Sequence, residues 1–193
     1  MSQPAPKIPS QMTVAEFIAW NAPEGARRQL VEGSPEAMAP TSRTHSALLI
    51  EIGALISRHL SERSSPCTVL GALGIVPRVR ADVNFRIPDL AVTCTPYAEE
   101  EHALSDPVVI IEILSPSNKA ETWANVWTYT TIPTVMEIAV VSSTDRSAQL
   151  LRRMKDGSWP TKPELVESGD FVLDSIGFRA PLDALYRTTR LAG

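Results

Sequence analysis

The chain lacks any apolar run near the ~20 residues that a membrane-crossing helix needs, so no transmembrane helix is expected. It is also poor in cysteine. Cys67 and Cys94 are its only two, and they stand in no Cys-x-x-Cys or other metal-ligand spacing, so both are expected to be core or near-core thiols of a reduced chain. An excess of either charge is missing as well: 18 basic against 22 acidic side chains leave a formal charge of −4, which excludes a protein that coats nucleic acid by bulk charge while leaving a local basic groove open. The first ten residues carry Pro4, Pro6 and Pro9 without the apolar block of a signal peptide, and a cytoplasmic location is expected. No internal repeat and no low-complexity tract beyond that proline-spaced start is visible. What remains is a chain of 193 residues with 44% hydrophobic content, enough to bury a full core, read as a flexible segment 1–12 followed by one domain over 13–193.

Within this ordinary composition two acids are out of place. Asp89 lies in Ile-Pro-Asp-Leu-Ala-Val and Glu112 in Val-Val-Ile-Ile-Glu-Ile-Leu, and short runs of β-branched and aliphatic residues between turn signals read as buried strands. A carboxylate in such a strand carries a large desolvation cost unless a partner offsets it. One reading brings the two together on neighbouring strands, where with a third oxygen donor they hold a divalent cation such as Mg2+ or Mn2+. The other has each acid capping or pairing locally at a strand end.

The rest of the chain frames this pair. Thr13 and Glu16 form a capping box that opens a short helix ending near Asn21-Ala-Pro23. Arg27 to Met38 reads as a hairpin around a Gly-Ser-Pro turn, with Glu32 at the turn. From Ser42 to about Glu62, His45, Leu48, Leu49, Ile52, Leu55, Ile56 and Leu60 make one helical stripe, placing His45 in the first turn on the buried side, either beside a site or as a hydrogen-bonded core residue. Thr68–Leu70 and Ile75–Val76 are short strands. Arg78, Arg80 and Arg86 surround Asp82, with ion pairing or solvation as their expected roles and phosphate contact as the alternative. Tyr97 to Asp106 is an acidic connection. Val108–Leu114 is a strand, Ser115 to Asn118 a helix-starting turn, Lys119 to Tyr129 a helix, and Val135–Val141 with Ala148–Met154 a strand pair. Glu164–Val166, Phe171–Leu173 and an apolar segment through Tyr186 complete an α/β or α+β domain with a mixed sheet.

In order and spacing, Gln29-Leu-Val-Glu-Gly33, the helix from Thr44-His45, Arg86-Ile-Pro-Asp-Leu-Ala-Val92, Ile111-Glu-Ile-Leu-Ser-Pro-Ser-Asn118 and Tyr129-Thr-Thr-Ile-Pro133 resemble the bacterial Uma-type putative restriction endonucleases, over about Thr13 to Tyr186. The resemblance implies a PD-(D/E)XK nuclease core, a central mixed sheet flanked by helices. It further implies one or two divalent metals held by Asp89, Glu112 and the Ile113 carbonyl, water attack on a phosphodiester, and a nucleic-acid partner, with DNA favoured over RNA and the choice left open. Many such nucleases cut as homodimers. The chain departs from the pattern twice. Leu114 stands two residues after Glu112, and the family's helix lysine falls at Asn125, which leaves Lys119 as the lysine near enough in sequence to substitute. The early Glu of the family is Gln29, which leaves Glu32 as the carboxylate that carries over. Asp89, Glu112, Lys119 and Glu32 are thus the catalytic candidates, with His45, Asn118 and Asn125 as supporting positions. The competing reading is a relative that binds nucleic acid or protein without cutting, and a third is an unrelated domain with structural acids.

Overall fold

The computed structural model describes residues 11–20, 27–96 and 102–192. Thr13 and Glu16 cap each other reciprocally and open helix α1 (Val14–Ala19), whose expected end at 21–23 falls outside the described residues. Most of the expected flexible start is likewise outside them, but Met12 is buried and its N–H reaches the Gly33 carbonyl at 2.8 Å. Strands β1 (Arg28–Val31) and β2 (Ser34–Ala37) form a hairpin. The tight turn is Glu32-Gly33, both at positive φ, so the expected Gly-Ser-Pro turn is displaced: Ser34 and Pro35 already belong to β2.

Helix α2 (Arg43–Glu62) starts at Ser42, whose hydroxyl accepts the His45 N–H, and buries His45, Leu48, Ile52, Ile56 and Leu60. Glu51 is buried among them, at 5% exposure, because Arg187 reaches its carboxylate at 2.6 Å. Next come β3 (Thr68–Gly71), β4 (Gly74–Ile75), β5 (Leu90–Thr93), β6 (Ala103–Leu104) and β7 (Pro107–Leu114). Helix α3 (Lys119–Tyr129) leads to β8 (Glu137–Ser142), β9 (Ala148–Arg152), β10 (Glu164–Val166), β11 (Asp170–Leu173), β12 (Phe178–Pro181) and the short helix α4 (Leu182–Leu185). The acidic stretch 97–101 lies outside the described residues.

The central sheet runs β10-β9-β8-β7-β5-β3, antiparallel except for β7 and β8, which are parallel and joined through α3 as a crossover. Side chains alternate between its two faces. Leu90, Val92, Val109, Ile111 and Ile113 pack with α2 and α4, whereas Ala91, Ile110, Ile138 and Val140 pack with Val126 and Tyr129 of α3. By the same alternation Glu112 faces α3. At the far edge, Cys67 and Cys94 flank the β3–β5 ladder and are joined by a disulfide, which corrects the expectation of free thiols. The arginine cluster is also rearranged: Arg80 pairs with Glu32 rather than Asp82. Arg86 is buried at 6% exposure, because its backbone is clamped to Ile75 on one side and the preceding residue, Phe85, to Leu30 on the other.

Candidate active site

In the β5–β7 ladder Leu90 pairs with Ile111 and Ala91 with Ile110, so continuing the register by one residue sets Asp89 opposite Glu112 on the same face. Both carboxylates are almost shut off from solvent, at 7% and 6% exposure, and both line one cavity of about 300 Å3. Asp89 is fixed at each oxygen: His45 Nε2 lies 2.8 Å from Oδ1, and the Ile113 N–H donates to Oδ2 at 2.7 Å. β5 begins only at Leu90, so the Asp89 side chain takes the Ile113 amide that another ladder residue would have used. Glu112 Oε1 accepts the hydroxyl of the fully buried Tyr129 at 2.9 Å.

Electrostatics follow from this geometry. Burial pushes the Glu112 carboxyl well above its ordinary value, the adjacent Asp89 adds to the rise, and the Tyr129 hydroxyl offsets part of it. Burial, with Glu112 next, likewise raises the Tyr129 phenol. Two carboxylates facing one cavity resist sharing two negative charges, and a cation removes that conflict.

Helix α3 supplies the opposite wall. Glu121, Asn125 and Tyr129 follow at intervals of four and so share one face of the helix. Asn125 Nδ2 donates to Gln29 Oε1 at 3.3 Å, and Gln29 Nε2 donates to Glu121 Oε1 at 2.7 Å. The two positions where this chain departs from the resembled pattern therefore touch each other, as a buried pair of neutral amides. Burial raises the Glu121 carboxyl, Glu36 adds to it and Arg86 opposes it. Asn118 also lines the cavity; its Oδ1 accepts the Ser115 N–H at 2.8 Å, and its Nδ2 donates to the Ile113 carbonyl at a long 3.4 Å.

Of the expected residues, the structure thus brings Asp89, Glu112, Ile113, His45, Asn118 and Asn125 together. Two candidates are elsewhere. Glu32 sits at its hairpin turn, bonded to Asn84 and paired with Arg80. Lys119 is exposed and lines a different hollow, beside Ser115, Ser142 and Asp145. The cation that does line the cavity is Arg27, at the entry to β1. Arg27 and Glu121 were not expected at the site; the four-residue spacing of Glu121, Asn125 and Tyr129 is the signal that would have found this third acid.

Among the described residues no three His, Cys, Asp or Glu side chains are grouped to hold a metal ion. The oxygen donors present are the Asp89 and Glu112 carboxylates, with the Glu121 carboxylate on the opposite wall and, beside Asp89, the Ile113 carbonyl, which accepts Asn118 Nδ2 at 3.4 Å. That all-oxygen set fits a hard cation which keeps much of its water, as Mg2+ does, better than one needing a closed protein cage.

Comparison with known proteins bears on family and fold. The model of the Uma2 family, described as putative restriction endonucleases, matches residues 14–182. The chain belongs to that family. A crystal structure of a putative nuclease of the DUF820 family from Anabaena variabilis ATCC 29413 superposes with a TM-score of 0.74 at 16% identity, over 91% of this chain and 97% of that one. At this identity the likeness shows a shared fold alone. No curated protein matches. Among the described residues no helix is long and apolar enough to cross a membrane.

Proposed function

We propose that this protein is a divalent-metal-dependent endonuclease that hydrolyses phosphodiester bonds in DNA. The observation that carries the reading is the opposition of Asp89 and Glu112 on adjacent strands, at the wall of a cavity, in a chain of a family described as putative restriction endonucleases. Bound between them, Mg2+ or Mn2+ would supply Lewis-acid polarisation of a phosphoryl oxygen and a more acidic water. The chain's own residues do the remainder. His45 and the Ile113 amide hold the Asp89 carboxylate in one orientation, so its charge faces the cavity without reorganisation. Tyr129 does the same for Glu112. Arg27 brings a permanent positive charge to the cavity where the phosphate's own charge must be met.

A second reading rests on a specific observation: the neutral Gln29–Asn125 pair stands where the resembled pattern has an acid and a lysine. It makes the protein a binder that does not cut. Incubation of supercoiled plasmid with Mg2+ or Mn2+ separates the two. Nicked and linear products from the native protein, absent from Asp89→Ala, support the endonuclease; an unchanged plasmid with retained DNA binding supports the binder.

A further inference from the structure

Glu121 has a placement that the metal-holding pair does not explain. It lines the cavity with Asp89 and Glu112 from the opposite wall, and its carboxylate is held by an amide that is itself held by a second amide. Gln29 is 1% exposed and Asn125 5%, so both are locked in place, and the order of donation is fixed: Asn125 to Gln29, Gln29 to Glu121. A carboxylate on a cavity wall, oriented by a buried partner that is in turn oriented, has the arrangement of a base poised for proton transfer. The helix lysine of the resembled pattern is replaced by Asn125, and Lys119 lines another hollow.

We propose that Glu121 holds the attacking water and accepts its proton, with Gln29 and Asn125 as positioning residues. The inference rests on the endonuclease reading. The water oxygen bonds to phosphorus, the phosphorus–oxygen bond to the leaving sugar oxygen breaks, one water proton passes to Glu121, and the leaving oxygen takes a proton from solvent. Several groups tune this acid. Glu36 from β2 and Glu112 from β7 oppose its charge, and Arg86 favours it. Arg27, His45 and Asp89 share the cavity, while Gln29 and Asn125 contribute neutral dipoles. Burial and Glu36 together raise the Glu121 carboxyl, which makes it a stronger proton acceptor than a surface glutamate.

The test is the pH dependence of single-turnover cleavage of a labelled DNA duplex, for the native protein, Glu121→Gln and Gln29→Ala, with Mn2+ affinity and melting temperature measured on each. The native rate should rise with pH along an acid limb. Glu121→Gln should lose about 10²–10⁴-fold in rate and lose that limb, while its melting temperature and Mn2+ affinity stay native. Gln29→Ala should retain the limb but displace it, since the hydrogen bond that the Gln29 amide donates to Glu121 is gone. An acid limb and rate unchanged in Glu121→Gln overturn the proposal, as does Mn2+ affinity that falls in step with rate, which would make Glu121 a metal ligand. If the native protein shows no Asp89-dependent cleavage, the endonuclease reading itself is refuted and this inference falls with it.

Discussion

Replacing Glu112 with glutamine should stabilise the metal-free protein at neutral pH while destroying the site. The carboxyl is buried against Asp89 and its pKa lies well above the ordinary 4.5, so between 4.5 and the folded value the native state binds more protons than the unfolded chain. Stability in this window must fall as pH rises: what Glu112 contributes is fully present below the unfolded pKa and lost through the folded one. A single proton gives a slope of up to about 1.4 kcal/mol per pH unit, or roughly 2–3 kcal/mol over two units. Glutamine keeps the shape and an oxygen that can accept from Tyr129, but it has no proton to lose. Urea denaturation in EDTA between pH 5 and 7 should therefore give a downward slope for the native protein and a flatter one for Glu112→Gln, the curves separating as pH rises. Added Mg2+ should lift the native curve and leave the variant where it is. Parallel curves would refute the reasoning, because they would mean that Glu112 titrates alike folded and unfolded.

Other substitutions probe the remaining parts. His45→Ala removes the partner of Asp89 Oδ1, and Mn2+ affinity by calorimetry should weaken about 10–100-fold. Lys119→Ala should leave cleavage near native, far from the ~10²–10³ that loss of a transition-state donor costs, because its side chain lines another hollow; a loss of that size would return Lys119 to the site. Arg27→Ala should weaken duplex binding in Ca2+ and lower the slope of log affinity against log salt by about 1; an unchanged slope would remove Arg27 from phosphate contact.

The parts of this fold that were legible in the sequence are those governed by local rules. Ser42 and Thr13 mark helix starts because their hydroxyls satisfy amides a few residues away. The stripe of α2 and the span of α3 follow from periodicity, and an acid inside an apolar strand signals a site because burial is costly. The features that were misread depend on contacts between distant segments. The disulfide reflects cross-strand adjacency, which the spacing of Cys67 and Cys94 does not encode. Arg86 is buried only because two backbone bridges close around it. The place of Lys119 follows from helix angle rather than closeness in sequence: it precedes Glu121 by two residues, about 200° around a helix, so the face that carries Glu121, Asn125 and Tyr129 to the cavity turns Lys119 away. The Gln29 network joins residues far apart in sequence, and only the folded hairpin reveals that the two atypical positions are neighbours.

The central claim is that Asp89 and Glu112 together hold one divalent cation. Titration of Mn2+ followed by the electron paramagnetic resonance of the free ion tests it without any need for cleavage. The native protein should remove Mn2+ from solution at a saturable site that Mg2+ displaces, and both Asp89→Asn and Glu112→Gln should abolish that site while remaining folded. Equal Mn2+ uptake by the native protein and both variants would contradict the account.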